Sequence, residues 1–192
     1  MPISFHFDLD KALEAMAYIV RRLVRVEKVK LMKLLYLADR ESFLKNAHPI
    51  TGDALCAMPW GPVPSACLDA VDGELWPAER NDRIFELFHV EDNVVALKHA
   101  PSTSLLDDAE KAVLDEVLKQ HGATPPWVLV RQTHAFPEYR EVYVEGTSRP
   151  IPFEMILKHY GSEDQYRHDR PVVSGQMAVH MISPFRGDDA DL

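Results

Sequence analysis

Thirty acidic residues, nine histidines and two cysteines are the side chains of this sequence best equipped for chemistry, and their spacing decides which chemistry is open to them. Metal capture needs ligands at fixed intervals, such as His-Glu-x-x-His on one helix face, paired Cys-x-x-Cys, or an acidic calcium loop, and none of these spacings occurs. The histidines from His48 to His180 fall singly among turns, strands and helix ends. Cys67 near a helix start, where the dipole favours a thiolate, could form a nucleophile pair with a distant histidine, but nothing in the sequence brings the two together. A small buried hydrophobe is the plainer reading of both Cys56 and Cys67. The eight glycines form no phosphate-cradling loop. The sequence therefore offers no catalytic residue, metal site or cofactor, and reads as a protein that binds rather than one that turns over a substrate.

The stretch best suited to binding is Trp60-Gly61-Pro62-Val63-Pro64, which joins a large flat side chain to a backbone stiffened by two fixed φ angles and loosened once by glycine. These five residues are the candidate partner-binding set. Trp60 fits two roles equally, a plug in the core or an anchor for a partner, because tryptophan is enriched both in buried clusters and in binding hot spots.

The element that must carry this turn lies just upstream. Seven of the eight residues from Leu31 to Ala38 are apolar, so a helix there is apolar on nearly every side except a narrow stripe of Lys30, Lys33, Arg40 or Glu41, and Lys45. Such a helix belongs in the middle of a bundle, with Leu34, Leu35, Tyr36, Leu37 and Ala38 as structural core and the Tyr36 hydroxyl seeking a partner. Asp39 and Arg40 either pair with neighbouring loops or sit at a solvated helix end.

Before it, Leu9, Ala12, Leu13, Met16, Ile19, Val20 and Leu23 repeat at helical spacing behind Asp8 as N-cap. A break near Val24 to Glu27 avoids an improbably long single helix from Asp8 to Asn46. After the His48 to Asp53 turn, Ala54 to Met58 runs extended, and Ser65 caps a short helix from Ala66 to Val71 stopped by Gly73. Ile84 to Val90 and Val94 to Leu97, joined by Glu91-Asp92-Asn93, read as a small antiparallel hairpin that must lean on helices. Ser104 with Asp107 approximates a capping box for a helix closed by Gly122. Thr124 caps a helix that runs until the residue before Pro137, and Pro152 opens a last one, Phe153 to Tyr160. The expectation is a mainly α, compact helical domain of about six helices over residues 1–161, with a C-terminal extension over 162–192 in which Val172 to Ile182 forms a strand or arm before an acidic tail.

The 192 residues suffice for one full-sized core, and 46% apolar with 27% charged is ordinary for a globular chain. No stretch approaches the roughly 18 apolar residues of a membrane span, and Met1 to Asp10 lacks the pattern of a signal peptide, which places the chain in the cytoplasm with no membrane partner. Net charge is −9 and uneven: residues 1–50 hold nine Lys/Arg against six Asp/Glu, residues 51–192 twelve against twenty-four. The acidic part repels a phosphate backbone, which argues against nucleic acid and for a basic protein partner. The basic cluster Arg21, Arg22, Arg25, Lys28, Lys30 and Lys33 is a solvated face at a helix junction on the simplest reading.

Lys33-Leu34-Leu35-Tyr36-Leu37-Ala38-Asp39, the Pro49-Ile50-Thr51-Gly52-Asp53 turn, Ala57-Met58 and Trp60 to Ser65 together resemble the signature of the SocA-like antitoxin family, the Panacea domain, often described as phage-associated. Ser104 to His121 followed by Thr133-His134 and Phe136-Pro137-Glu138-Tyr139-Arg140 resembles that family's second half, and the likeness spans Asp8 to Gly161. The family commonly has an aromatic residue before the Gly-Pro-Val and another shortly before that, whereas Pro59 precedes Trp60 here. The resemblance implies an antitoxin of a type II toxin-antitoxin system that binds and neutralises a protein toxin encoded beside it. It implies either direct masking or delivery of the toxin to a bacterial protease, and leaves a homo-oligomer open.

Overall fold

The computed structural model describes residues 3–99, 101 and 105–160. Ser104 and the expected arm and tail beyond Gly161 lie outside the described residues.

Helix α1 (Leu9–Leu23) starts where expected, with the Asp8 carboxylate accepting from the Lys11 N–H at 3.1 Å, and buries Ala12, Leu13, Met16, Ile19 and Val20 along one face. It ends at Val24, whose φ of 66° lies outside the helical region. The break before α2 (Lys28–Asn46) is a short strand, β1 (Arg25–Glu27), and not a bare turn. The β-branched Val26 that weakens a helix here suits a strand, which pairs antiparallel with β5 (Val94–Leu97) through Val26↔Val95.

Helix α2 is the axle of the molecule. Leu31 to Arg40 are buried without interruption, and α1, α3 (Ser65–Asp72), α5 (Asp108–His121), α6 (Pro126–His134) and α8 (Phe153–Tyr160) all pack on it. Leu34, Leu35, Tyr36, Leu37 and Ala38 are at most 5% exposed. The middle of the polar stripe is inside as well, with Lys33 1% and Arg40 4% exposed, while Lys30 and Glu41 are half-buried and Lys45 is exposed at the end of the helix.

The described residues contain eight helices and two three-stranded antiparallel sheets, where about six helices and one hairpin were expected. One extra helix is α4 (Arg80–Leu87), which takes over Ile84 to Leu87, so that β4 (Phe88–Glu91) is shorter than the expected strand. The apolar Ile84 is buried from a helix face rather than a pleat, a distinction that a short run of mixed residues does not encode. The other is α7 (Pro137–Val142), opened by its own proline directly after α6. Helix α6 itself begins at Pro126 with Pro125 as N-cap, one residue later than a Thr124 cap would give. The capping box of α5 is Asp107 with Glu110, the two side chains and backbone N–H groups exchanging bonds of 2.8 and 3.0 Å.

The second sheet, ordered β3-β2-β6, is built on the hairpin of β2 (Leu55–Met58) and β3 (Gly61–Pro64), with Met58 opposite Gly61 and β6 (Arg149–Pro150) on the other edge. Its two-residue turn is Pro59-Trp60. Both outer strands contain proline, which lacks the N–H that a further strand would need.

Candidate functional site

Three polar networks, all reaching back to α2, hold the Trp60 turn in place. The first explains the Pro-Ile-Thr-Gly-Asp stretch. Asp39, fully buried at the middle of α2, accepts from the Thr51 N–H at 2.9 Å and from its hydroxyl at 2.5 Å, and Thr51 Oγ1 in turn accepts from the Asp53 N–H. Asp53 then caps α3 from outside the helix: its carboxylate accepts from the Ala66 and Cys67 N–H groups at 3.0 and 2.7 Å. The cap expected of Ser65 is therefore supplied by a residue twelve positions upstream, and Ser65 opens the helix instead. Burial pushes the Asp39 carboxyl up to about 7 against the pull of the Thr51 bonds, and raises that of Asp53 in the same way.

The second network joins α2 to α7. The Glu138 carboxylate is fully buried and accepts from Arg40 Nε at 2.8 Å and from the Tyr36 hydroxyl at 3.0 Å. The Arg40 guanidinium lies over the rings of Phe136 and Tyr160, 4.6 and 3.9 Å from their centroids. Next to Glu138, the Tyr139 hydroxyl donates to the Met58 carbonyl at 3.0 Å, which pins the end of β2, while its ring stacks between His134 and Tyr143. Asp39 and Arg40 thus pair with neighbouring segments and do not form a solvated end.

The third is the turn itself. Gly61 sits at φ +93°, and a Cβ there would lie 2.9 Å from Thr133 Oγ1, 3.0 Å from His134 Cδ2 and 3.1 Å from Lys33 Cε. Glycine alone lets the strand press against α2 and α6. Lys33 donates to the Pro62 carbonyl at 2.9 Å. Desolvation, with no carboxylate among the described residues to offset it, draws its amine down to about 7, and its charge helps keep the adjoining His134 below the ordinary histidine value, after that ring's own burial.

Of the five candidate partner-binding residues, Gly61, Pro62, Val63 and Pro64 are buried and only Trp60 is presented outward, 61% exposed. It does not plug the core. Its ring meets Trp127 of α6, itself 55% exposed, with centroids 5.2 Å apart and planes at 61°. The pair walls a groove of about 480 Å³ whose other lining includes Met32, Lys33, Met58, Val63 and Leu68. Trp127 was not singled out from the sequence, although an aromatic in the first turn of α6, off the buried Leu129, Val130 and Thr133 face, is the mark of a residue with no core role. The lone charge of Lys33 inside an apolar run was the other such signal.

The nucleophile reading of Cys67 is not supported by its surroundings. The residue is fully buried, and desolvation together with the nearby Asp53 and Asp39 carboxylates lifts its thiol well above the ordinary value. His48, Asp107 and Glu110 converge to within metal-ligand range of one another, a grouping the sequence could not show because it spans some sixty residues. Their geometry is accounted for otherwise: Glu110 pairs with Lys11 at 2.6 Å, and Asp107 and Glu110 cap α5.

No described helix is long and apolar enough to cross a membrane. Fold and site define a mainly α domain in which a central buried helix holds a rigid, tryptophan-tipped hairpin beside a surface groove. Residues 31–139, from the first turn of α2 through the Glu138 and Tyr139 clamp, match the family described as antitoxin SocA-like, Panacea domain. The chain belongs to this SocA-like antitoxin family, which gives its function a protein partner. Comparison with curated proteins and with solved structures gives no match.

Proposed function

We propose that this chain is the antitoxin of a type II toxin-antitoxin pair and neutralises its protein toxin by direct masking, using the Trp60–Trp127 ridge and the groove beside it as the contact surface. One observation carries the reading. Two tryptophans from separate elements meet edge to face, each more than half exposed, with Trp60 on a turn immobilised by Gly61, Lys33 and Tyr139 and Trp127 on α6. Large aromatic area held rigidly in place loses little conformational freedom on binding, and anchors of this type typically contribute about 2 kcal/mol or more each.

The test is co-expression with a toxic protein encoded beside the antitoxin. Growth should be restored by the native chain and lost with Trp60→Ala/Trp127→Ala, whose thermal melt should match the native one because neither ring is in the core. An unchanged toxin level by immunoblot during rescue identifies masking; a falling level identifies delivery to a protease. Absence of both rescue and co-purification would remove the antitoxin reading for that pair.

A further inference from the structure

We propose that the groove beside Trp60 and Trp127 receives an acidic side chain of the protein partner, flanked by an apolar one, and that the carboxylate seats on the Lys33 ammonium at the groove floor. The proposal rests on the antitoxin reading for the partner's identity and names the chemistry by which that partner is recognised.

Lys33 is out of place by every ordinary rule for lysine. It lies between Met32 and Leu34 on the most buried helix, is 1% exposed, and still lines the groove. A buried ammonium is costly unless paired, and lysine carries three donors. Only the Pro62 carbonyl takes one of them, and among the described residues no carboxylate pairs with Lys33. The Arg40 guanidinium two turns further along α2 shows the contrast, since it has both Glu138 and Glu41.

The charges facing Lys33 come from four elements. Lys28 of α2 and Asp72 of α3 are on the groove lining but neutralise each other at 2.5 Å. Glu27 of β1 is exposed at the rim. His134 of α6 sits beside Lys33 and is held below its ordinary value, hence neutral at pH 7. The floor is therefore left with one amine, about half protonated at pH 7, that no carboxylate among the described residues answers, under walls of Met32, Met58, Val63, Leu68 and the two indoles. A carboxylate entering this place makes a charge-assisted bond in surroundings poor in water, while an adjacent aliphatic side chain covers the apolar wall. A cationic group is repelled there, and a neutral amide accepts a bond without balancing the charge. A volume of about 480 Å³ is ordinary for a ligand pocket. On a chain of net charge −9, a single cationic socket also selects where a partner's acid can land.

The test uses the full chain and three peptides, acetyl-Leu-Glu-Leu-amide, acetyl-Leu-Gln-Leu-amide and acetyl-Leu-Gln-Leu with a free C-terminus, followed by the indole N–H resonances of Trp60 and Trp127. The expected result is that the Glu peptide binds about tenfold tighter than either Gln peptide, and that Lys33→Met binds all three alike. Binding of the Glu peptide should also weaken from pH 7 to pH 9, as the free chain's Lys33 loses its proton, with no such trend for the Gln amide. Equal binding of the Glu and Gln amides to the native chain, no binding of either, preference for the free C-terminus over the Glu side chain, or discrimination that survives Lys33→Met would each overturn the proposal. The peptide comparison on the native chain decides the matter even if the variant does not fold. A chain that restores growth yet fails to discriminate peptides keeps the antitoxin reading and loses this one; discrimination without rescue does the reverse.

Discussion

Removing Glu138 should be among the most damaging single changes available in this fold. The Glu138→Ala chain leaves the Arg40 guanidinium, 4% exposed, without its buried counter-charge and the Tyr36 hydroxyl, fully buried, without an acceptor. Breaking a buried pair by deleting one partner typically costs about 3–5 kcal/mol. Glu41, 2.9 Å from Arg40 Nη1 but 35% exposed, retains part of the compensation and places the expected loss toward the lower end. At a urea slope of about 2 kcal/mol per molar, the unfolding midpoint should fall by roughly 1.5 M. The double variant Arg40→Met/Glu138→Leu removes both charges and keeps apolar volume, so only the Tyr36 hydroxyl remains unanswered, at about 1–3 kcal/mol. It should therefore be no less stable than Glu138→Ala. Urea melts followed by far-ultraviolet circular dichroism measure all three chains. A midpoint shift under about 0.5 M for Glu138→Ala, or a double variant less stable than Glu138→Ala, would refute the claim that this pair clamps α7 to α2.

Gly61→Ala combines a positive φ with a Cβ 2.9 Å from Thr133 Oγ1, and should destabilise by roughly 2–5 kcal/mol; an unchanged thermal melt would show that the strand can move away from α6. Asp39 holds its proton up to about 7 when folded but only to about 4 when unfolded, so its contribution to stability falls as pH rises between those values; Asp39→Asn should flatten that part of the native curve. Lys33 has the opposite sign: its folded value of about 7 lies below its unfolded one near 10.5, so stability should rise with pH across that interval, and Lys33→Met should abolish the rise in urea melts taken from pH 7 to pH 10. Iodoacetamide with peptide mass mapping at pH 8 should leave Cys67 unmodified in the native chain and label it after unfolding, because burial both hides the sulfur and keeps it a thiol; rapid native labelling would contradict this placement.

The parts of this fold legible in the sequence are those written in local periodicity and punctuation. The Asp8 cap, the buried run from Leu31 to Ala38, the extent of the last helix and the hairpin strand Val94 to Leu97 all follow from residues within a turn or two of one another. What was not legible depends on distant partners. Asp53 capping α3, Arg40 meeting Glu138 almost a hundred residues on, and β1 pairing with β5 across some seventy residues leave no trace in spacing. The helical identity of Arg80–Leu87 was lost for another reason, since a mixed eight-residue run supports either period and tertiary packing of Ile84 decides. At the site, Trp60 was identified but half of the ridge was not, because Trp127 is brought to it only by the packing of α6 against β3.

The prolines of β3 and β6 bear on what kind of visitor the molecule can accommodate. Each flank of that small sheet is short of donors where another chain would try to zip alongside, so ladder extension, whether by a guest segment or by a sister molecule, is blocked at the backbone level. On the proposed contact beside this sheet, a guest arrives with its own main-chain bonds already satisfied and engages through protruding side groups, whereas the edges of the other sheet, β1 and β4, carry no proline. The proposed socket would make few demands on the architecture behind whatever is inserted, so helices, loops and turns of unrelated proteins would be equally admissible provided the right tip is offered.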